Sequence, residues 1–495
     1  MAKKFFWADA IADRVIKEQK GKRQFVCASG ITPSGTIHIG NFREVITTDL
    51  VVRALKNKGK KVRFIYSWDD FDRFRKVPKN IPKEYEKYIG MPVSEVPSPF
   101  GKGSYAEYFE KEFEDSLKKV GIKPSFIRQN VMNKKCKYAS LIKVAIEKRN
   151  EIMKILNKYR KEPLKKDWYP FAVYCEKCKK DFTKVLSVKD YEIEYECECG
   201  FRNKIDYRKK GIVSVKWRVD WPMRWKYEKV NFEPGGADHS APGGSFDTGK
   251  QIVKEIFDYK PPIYQLYEWI RIKGGIEFSS SSGNALKLKD VEEIYEPEVL
   301  RYLFVGTRPN KGFAISFDTD VMKIYEDYDK LEEDYFSGKL NEQQKRIYEL
   351  SQVKKSKKKI DKINFRHLIT LVQIGKTDDL NEASKKRAEK VKNWIEKYAP
   401  EDFKFAFQKR LKFPVTGKDK KALIELREIL KSKDLTEDEL FNEFYNICKK
   451  LEMKNIDFFK VCYEAIIGKE KGPRLASLIL TIGKEKVIKL LEQIN

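Results

Sequence analysis

Apolar residues recur along this chain in two rhythms, and the change comes near residue 320. In the first part, short apolar runs end in Gly, Ser or Asp. Residues 24–30 (QFVCASG) lead into a Pro/Gly loop, and apolar positions then recur at helical spacing through NFREVITTDLVVRALKNKG. A second run, KVRFIYSW at 61–68, ends in Asp69, Asp70 and Asp72. Strand, loop, helix, strand is the opening of a parallel α/β sheet. Residues 77–99 are Pro-rich and read as a surface excursion, and helices are predicted from about 104 to 160. Strand-like character returns at 212–219 (IVSVKWRV), and Gly/Pro-rich residues 233–245 lead into a helical pattern at 246–257. Beyond 320, Gly and Pro thin out and amphipathic Lys/Glu-rich patterns predict an all-α region almost to the end. The run KKSKKK at 354–359 reads as a solvated linker or helix end.

Length and charge add to this picture. A chain of 495 residues is too long for one ordinary domain. Lys+Arg 102 against Asp+Glu 74 gives +28, spread along the chain, which points to a polyanionic partner ahead of a merely soluble or thermally adapted surface. Charge interrupts every apolar run of the N-terminal MAKKFFWADAIADRVIKEQK, and no stretch approaches the ~20 apolar residues of a membrane span. The expectation is a cytoplasmic protein without a membrane partner.

Four segments carry candidate chemistry. In TPSGTIHIGNFREV (32–45), Thr32, Pro33, Ser34 and Gly35 form a loop that a ligand can approach closely. His38, Gly40 and Asn41 then open a helix whose unpaired N–H groups favour phosphate. In FEPGGADHSAPGGSFDTG (232–249), glycines bracket Asp238 and His239, so that a carboxylate and an imidazole share one space. Two of the three histidines of the chain thus lie in Gly-rich loops of the same α/β region. The hydroxyl-rich EFSSSSGNALKLKDV (277–291) reads as a loop able to wrap polyphosphate, or, seen alone, as a Ser/Gly linker. Finally, Cys175, Cys178, Cys197 and Cys199 have the count and spacing of a closed, structural tetrahedral zinc site inside an insertion at about 170–205.

Taken together these segments resemble the class I aminoacyl-tRNA synthetases: HIGN at 38–41 matches their HIGH signature, and SSSSGN at 279–284 lies where the KMSKS loop falls. The stretches ASGITPSGTIHIGNFRE (28–44), SWDDFDRFRKVP (67–78), EPGGADHSAPGGS (233–245) and GPRLASLILTIG (472–483) are similar to class I lysyl-tRNA synthetases in particular. The resemblance implies a Rossmann-type catalytic domain over 1–320, with an insertion at about 77–210 that carries the zinc-ribbon-like segment. A helical anticodon-binding region over 321–495 follows. It also implies ATP, Mg²⁺ and L-lysine as reactants and tRNA-Lys, rather than DNA, as the partner.

By the same resemblance His38, Asn41, Ser279 and Ser281 are catalytic. Thr32, Pro33, Ser34, Gly40, Gly236, Asp238 and Ser282 join them around ATP. Gly30, Thr32, Trp221, His239 and Tyr267 match the lysine pocket, with Glu44, Asp70, Asp238 and Glu268 as carboxylates near the motifs. Phe407, Arg410 and Phe413 are candidates for stacking on anticodon bases. Two departures stand out. Glu277 and Ser282 occupy places where the family's loop carries lysine, with Lys273, Lys287 or Mg²⁺ as possible substitutes. Residues 98–109 lack the Cys and His of a second metal site, so one zinc is expected. The alternatives are a class I synthetase for another amino acid, which for glutamate requires a basic pocket, and a non-catalytic tRNA-binding paralogue.

Overall fold

A strand covered on both faces must be apolar nearly throughout, and Phe25–Ile31 (FVCASGI) is buried over its first five residues. It is the centre of the sheet in a computed structural model that describes residues 6–273, 286–412 and 414–494. Ser279, Ser281, Ser282 and Phe413 lie outside the described residues.

Five strands build this sheet: β1 Phe25–Ile31, β2 Val62–Trp68, β3 Ser125–Arg128, β4 Phe232–Gly236 and β5 Ile263–Tyr267. Their order is β5-β4-β1-β2-β3, and every pairing is parallel. The winding reverses between β1 and β4, the place where a doubly wound sheet opens a crevice beyond its strand ends. The register shows why. β1 pairs with β2 from Phe25 to Ile31, yet with β4 only at Cys27 and Phe232, so the carboxyl halves of β1 and β4 separate. Asn231 stitches the amino ends, accepting from the Val26 amide through its side chain at 2.8 Å and donating its own amide to the Val26 carbonyl at 2.8 Å.

Three expectations are corrected here. β3 lies within the stretch expected to be helical and inside the span assigned to an insertion; it is four residues long and only partly buried, too short to leave a period in the sequence. Only Val213–Val215 of the run 212–219 is a strand, paired antiparallel with Phe171–Val173. Trp217 already opens the helix Trp217–Glu228, because Trp217, Trp221 and Trp225 repeat every four residues and stack along one stripe. Between those two short strands, Thr183–Lys189, Glu192–Cys197 and Arg202–Asp206 form an antiparallel three-stranded sheet.

The chain divides into two units: residues 1–315 with 338–355, and residues 316–337 with 356–495. A single break near 320 therefore does not describe it. The reason is Arg301, which is fully buried and donates to the Leu350 carbonyl through Nε at 3.2 Å, to the Val120 carbonyl at 3.1 Å and to Asp49 at 2.7 Å. Such a guanidinium requires its acceptors, so the helix Glu342–Ser351 returns to the first unit. Every described element of the second unit is helical. Leu423, Leu426, Phe444, Phe458, Ile466 and Leu478 lie at its core, and Arg387 is bidentate to Asp329 at 2.7 and 2.8 Å. No described helix is long and apolar enough to cross a membrane.

Candidate functional site

The carboxyl ends of β1 and β4 open onto two connected features of the first unit. One is a small cavity of about 70 Å³ where the two strands part, walled by Gly30, Glu44, Asp69, Trp221, Glu233 and His239 among others. The other is a cleft of about 890 Å³ running from Thr32, Ser34, His38, Gly40 and Asn41 past Asp238, His239 and Tyr267.

Local chemistry fixes the loop after β1. Thr32 Oγ1 donates to Asp72 at 2.8 Å, tying this loop to the one after β2, and Tyr105 donates to the Ser34 carbonyl at 3.1 Å. His38 caps the helix Ile39–Asn57, where the Asn41 side chain accepts from the His38 amide at 3.1 Å. The imidazole folds back over Gly40: a Cβ there would stand 2.8 Å from both Cε1 and Nδ1 of His38. Burial lowers the His38 pKa to about 4, so at neutral pH it offers a neutral donor–acceptor ring rather than a cation. On its other side the His38 backbone pairs with Lys287, and the Ile39 amide donates to the Leu286 carbonyl at 2.9 Å. The residues that follow the Ser-rich segment are thus anchored at His38. Lys287 is itself paired with Glu112 at 3.0 Å.

The cavity is acidic. Glu44 accepts from the Gly30 amide and from the Tyr267 hydroxyl, both at 2.8 Å, yet burial, reinforced by Glu233 and Asp69, raises its pKa to about 8. Glu233 accepts from Trp225 Nε1 at 2.6 Å, and burial raises it to about 7. Arg224 occupies one side, with both terminal nitrogens engaged: its guanidinium meets Asp69 at 2.6 Å, Asp220 at 3.0 Å and Ser67 Oγ at 2.8 Å. With Arg224 neutralised in this way, Glu44 and Glu233 remain as an acidic wall facing aromatic ones. Trp217 and Trp221 stack at 5.1 Å, with the His239 ring 5.7 Å from Trp221.

Residues 5–354 match the family described as tRNA synthetases class I (K), and residues 375–494 match an anticodon binding domain. A lysine–tRNA ligase of Borreliella burgdorferi is 46% identical, covering 98% of both chains. That of Treponema pallidum is 42% identical over 99% of this chain and 98% of its own. That of Pyrococcus horikoshii is 40% identical over 98% of this chain and 99% of its own. The chain belongs to the class I lysyl-tRNA synthetase family.

Within this synthetase, Gly30, Glu44, Trp221 and His239 meet at the cavity, and Thr32, Ser34, His38, Gly40, Asn41, Asp238 and Tyr267 line the cleft. Pro33 is buried behind the loop. Gly236 sits where a Cβ would come within 2.5 Å of Asp238 Oδ1, so its missing side chain gives that carboxylate its place. Glu268 lines neither space; its amide donates to the Pro309 carbonyl at 2.8 Å. Asp70 is taken by Asn130, whose amide donates to it at 2.7 Å and whose side chain also bonds it. Sequence reasoning missed Asp69, Arg224 and Glu233. Nothing in their spacing joins residues so far apart, although Asp69 and Glu233 each stand inside a quoted motif.

The four cysteines converge. All four Sγ atoms lie within 4.8 Å of one another, with Cys175–Cys199 at 3.7 Å and Cys178–Cys197 at 3.6 Å. Each pair sits on a tight turn: the Lys179 amide donates to the Cys175 carbonyl at 2.8 Å, and the Gly200 amide to the Cys197 carbonyl at 2.9 Å, with Gly200 at φ +78°.

Proposed function

We infer that this chain activates L-lysine with ATP and attaches it to tRNA-Lys, and that the acidic, tryptophan-walled cavity between β1 and β4 is its lysine side-chain pocket. The observation that carries this reading is the pairing of Glu44 and Glu233 beside an Arg224 that is already neutralised by Asp69 and Asp220. A buried ammonium needs such acceptors, and a carboxylate side chain would be repelled by them.

Lysine placed there directs its own carboxylate toward the cleft at His38. A carboxylate oxygen forms a bond to the α-phosphorus of ATP as the bridging bond to the β-phosphorus breaks, and pyrophosphate leaves with the electron pair. His38 donates to a phosphate oxygen, while the first amides of the helix Ile39–Asn57 and the glycine-flanked Asp238 hold the nucleotide. A terminal ribose hydroxyl of tRNA then attacks the lysyl carbonyl carbon, and AMP departs. Mg²⁺ carried on the phosphates would neutralise charge as it develops. Ser279, Ser281 and Ser282 belong to the loop that the family places over pyrophosphate. Lys287 reaches Glu112 instead, so a lysine missing from that loop is not simply replaced by it.

The cysteine segment fits a zinc ribbon. A tetrahedron with Zn–S bonds of about 2.3 Å has S–S edges of about 3.8 Å, close to the two short sulfur pairs. Cys175, Cys178, Cys197 and Cys199 would fill all four positions, which makes the site structural. Pyrophosphate exchange run with each of the twenty amino acids tests the whole reading: exchange with lysine alone is expected. Exchange with glutamate, or none with any amino acid while tRNA still binds, would sink it.

A further inference from the structure

The four-cysteine segment does not only close on itself: the turn between Cys178 and the strand Thr183–Lys189 reaches the chain that follows β2. That chain folds back on itself as a ribbon. The Phe74 amide donates to the Met91 carbonyl at 2.7 Å and the Gly90 amide to the Phe74 carbonyl at 3.0 Å. The Val93 and Ser94 amides reach the Asp72 and Asp70 carbonyls at 2.8 and 2.9 Å. The ribbon carries Asp72, the acceptor of Thr32 Oγ1. One support of the ribbon is the helix Tyr105–Lys119: the Tyr105 amide donates to the Val96 carbonyl at 2.7 Å, and the Phe74 and Tyr105 rings lie 5.2 Å apart.

The second support is Asp181 with Phe182. The Asp181 amide donates to the Gly90 carbonyl at 2.9 Å, and its carboxylate, 12% exposed, meets Arg73 Nε at 3.4 Å. The Arg73 guanidinium lies 5.1 Å from the centre of the Phe182 ring. Gly90 has φ +95°, and a Cβ there would stand 3.0 Å from Phe182 Cζ and 3.3 Å from Asp181 Oδ1. Glycine at 90 thus serves both the turn and the close approach. The backbone of both cysteine pairs fixes this clamp. The Cys175 amide donates to the Lys180 carbonyl at 2.8 Å, and the Glu198 amide, between Cys197 and Cys199, donates to the Phe182 carbonyl at 3.1 Å. Tyr174, just before Cys175, adds a bond from its hydroxyl to the Phe71 carbonyl at 2.9 Å.

We propose that Asp181 and Phe182 are positioning residues for the reaction: they hold Asp72, and through its bond to Thr32 the loop after β1, in place beside the lysine pocket. The inference rests on the synthetase reading and adds to it that the cysteine segment acts on the site through this contact. Without the clamp the ribbon stays seated on the helix Tyr105–Lys119, so the contact is not what folds it. The clamp instead removes the freedom of Asp72 to shift with the ribbon. A misplacement of about 1 Å at a loop that meets substrate costs affinity or rate out of proportion to stability.

The test uses the full-length enzyme, a D181A/F182A variant, and Arg73→Ala, which breaks the same contact from the other side and leaves the cysteine segment untouched. Both variants keep the zinc content of the wild type. In charging of tRNA-Lys their KM for lysine rises about tenfold while kcat stays within about twofold. In amide hydrogen exchange Gly90, Val93 and Asp181 lose protection about tenfold, whereas the amides of β1 and β2 keep theirs. Because the residues act through one contact, the combined variant is no worse than either parent. Arg73→Lys, which keeps the charge, loses less than Arg73→Ala. A wild-type KM for lysine in Arg73→Ala, additive losses in the combined variant, loss of zinc from either variant, or a loss of protection that spreads to β1 and β2 would each overturn the proposal. Charging with lysine by the wild type is the control for the underlying reading; its failure refutes that reading, while the hydrogen-exchange pattern still decides this one.

Discussion

Among the described residues the first unit buries ten Asp, Glu or Arg side chains, Arg43, Asp69, Arg224, Glu233 and Arg301 among them; the second buries two, Glu332 and Arg387. Burying charge is costly, so each instance in the first unit needs a reason. The reasons fall into two kinds. Arg43 donates to the carbonyls of Arg308, Pro309 and Lys311, and Arg301 to those of Val120 and Leu350, so both hold loops and helices together. Asp69, Arg224 and Glu233 instead line a cavity, next to Glu44. Burial alone therefore does not mark a reactive site; buried charge facing an empty space does. The second unit has an apolar helical core, with Glu332 and Arg387 as its buried charges among the described residues.

The strongest test of this contrast is to separate the units. A chain ended after Lys355 keeps every segment of the first unit and is expected to retain lysine-dependent exchange while tRNA charging falls steeply. A chain ended near 325 strips the Leu350 carbonyl from Arg301, which at about 1.5–3 kcal/mol for a hydrogen bond to a charged group adds to the loss of the helix Glu342–Ser351, yielding little soluble protein. Equal exchange from the two truncations would mean that residues 338–355 are dispensable to the first unit.

Next in size, His38→Ala should lower exchange about 10²- to 10³-fold, with tRNA affinity preserved. An undiminished exchange rate removes His38 from the chemistry. Glu44→Gln should cost about 10²-fold in kcat/KM for lysine, the penalty for leaving a buried ammonium short of its counter-charge, while the KM for ATP stays in place; a larger effect on ATP than on lysine contradicts the pocket.

A smaller effect comes from pH. Free Glu44 titrates at about 8 and Glu233 at about 7, both raised by burial. Lysine binds the ionised carboxylates, so below pH 8 a proton must leave on binding. The KM for lysine then rises as pH falls, by up to about tenfold per unit between pH 8 and 7 and up to about a hundredfold per unit below, where both carboxyls must give up a proton. Above pH 8 it flattens, until the lysine ammonium itself deprotonates near about 10.4. A KM independent of pH between 6 and 8 would exclude these carboxylates.

The smallest effect on chemistry is expected from metal removal. One zinc per chain should be found by metal analysis, and stripping it should lower the melting temperature while changing exchange less than Glu44→Gln does. A content of zero or two would contradict the four-cysteine site.

How much of this could be read from the sequence follows the same contrast. The loops after β1 and β4 were legible because strand ends that meet a ligand need Gly, and because His38 and Asp238–His239 stand beside those glycines. The cysteines were legible through spacing. Asp69, Arg224 and Glu233 were not, since a network built from β2, β4 and the helix Trp217–Glu228 has no sequence period. The same limit applies to the second unit. Phe407, in the irregular segment before the helix Gly417–Ser432, packs against the apolar core, while Arg410 is exposed. Helical amphipathicity announces a core but not which outward residue meets RNA.

The return of residues 338–355 to the first unit also has a consequence in time. On the ribosome the chain is made from one end, and the Leu350 carbonyl, one acceptor of Arg301, emerges only after a stretch of the second unit has been synthesised. The roughly 40 residues from Ser316 to Lys355 take about 2–8 s at ordinary synthesis rates. During that interval the sheet is complete while the Arg301 guanidinium, with Asp49 and the Val120 carbonyl already made, still waits for the Leu350 carbonyl. A nascent chain stalled before residue 350 should therefore be open to protease or chaperone at the Arg301 helix, and one stalled well beyond it should be closed.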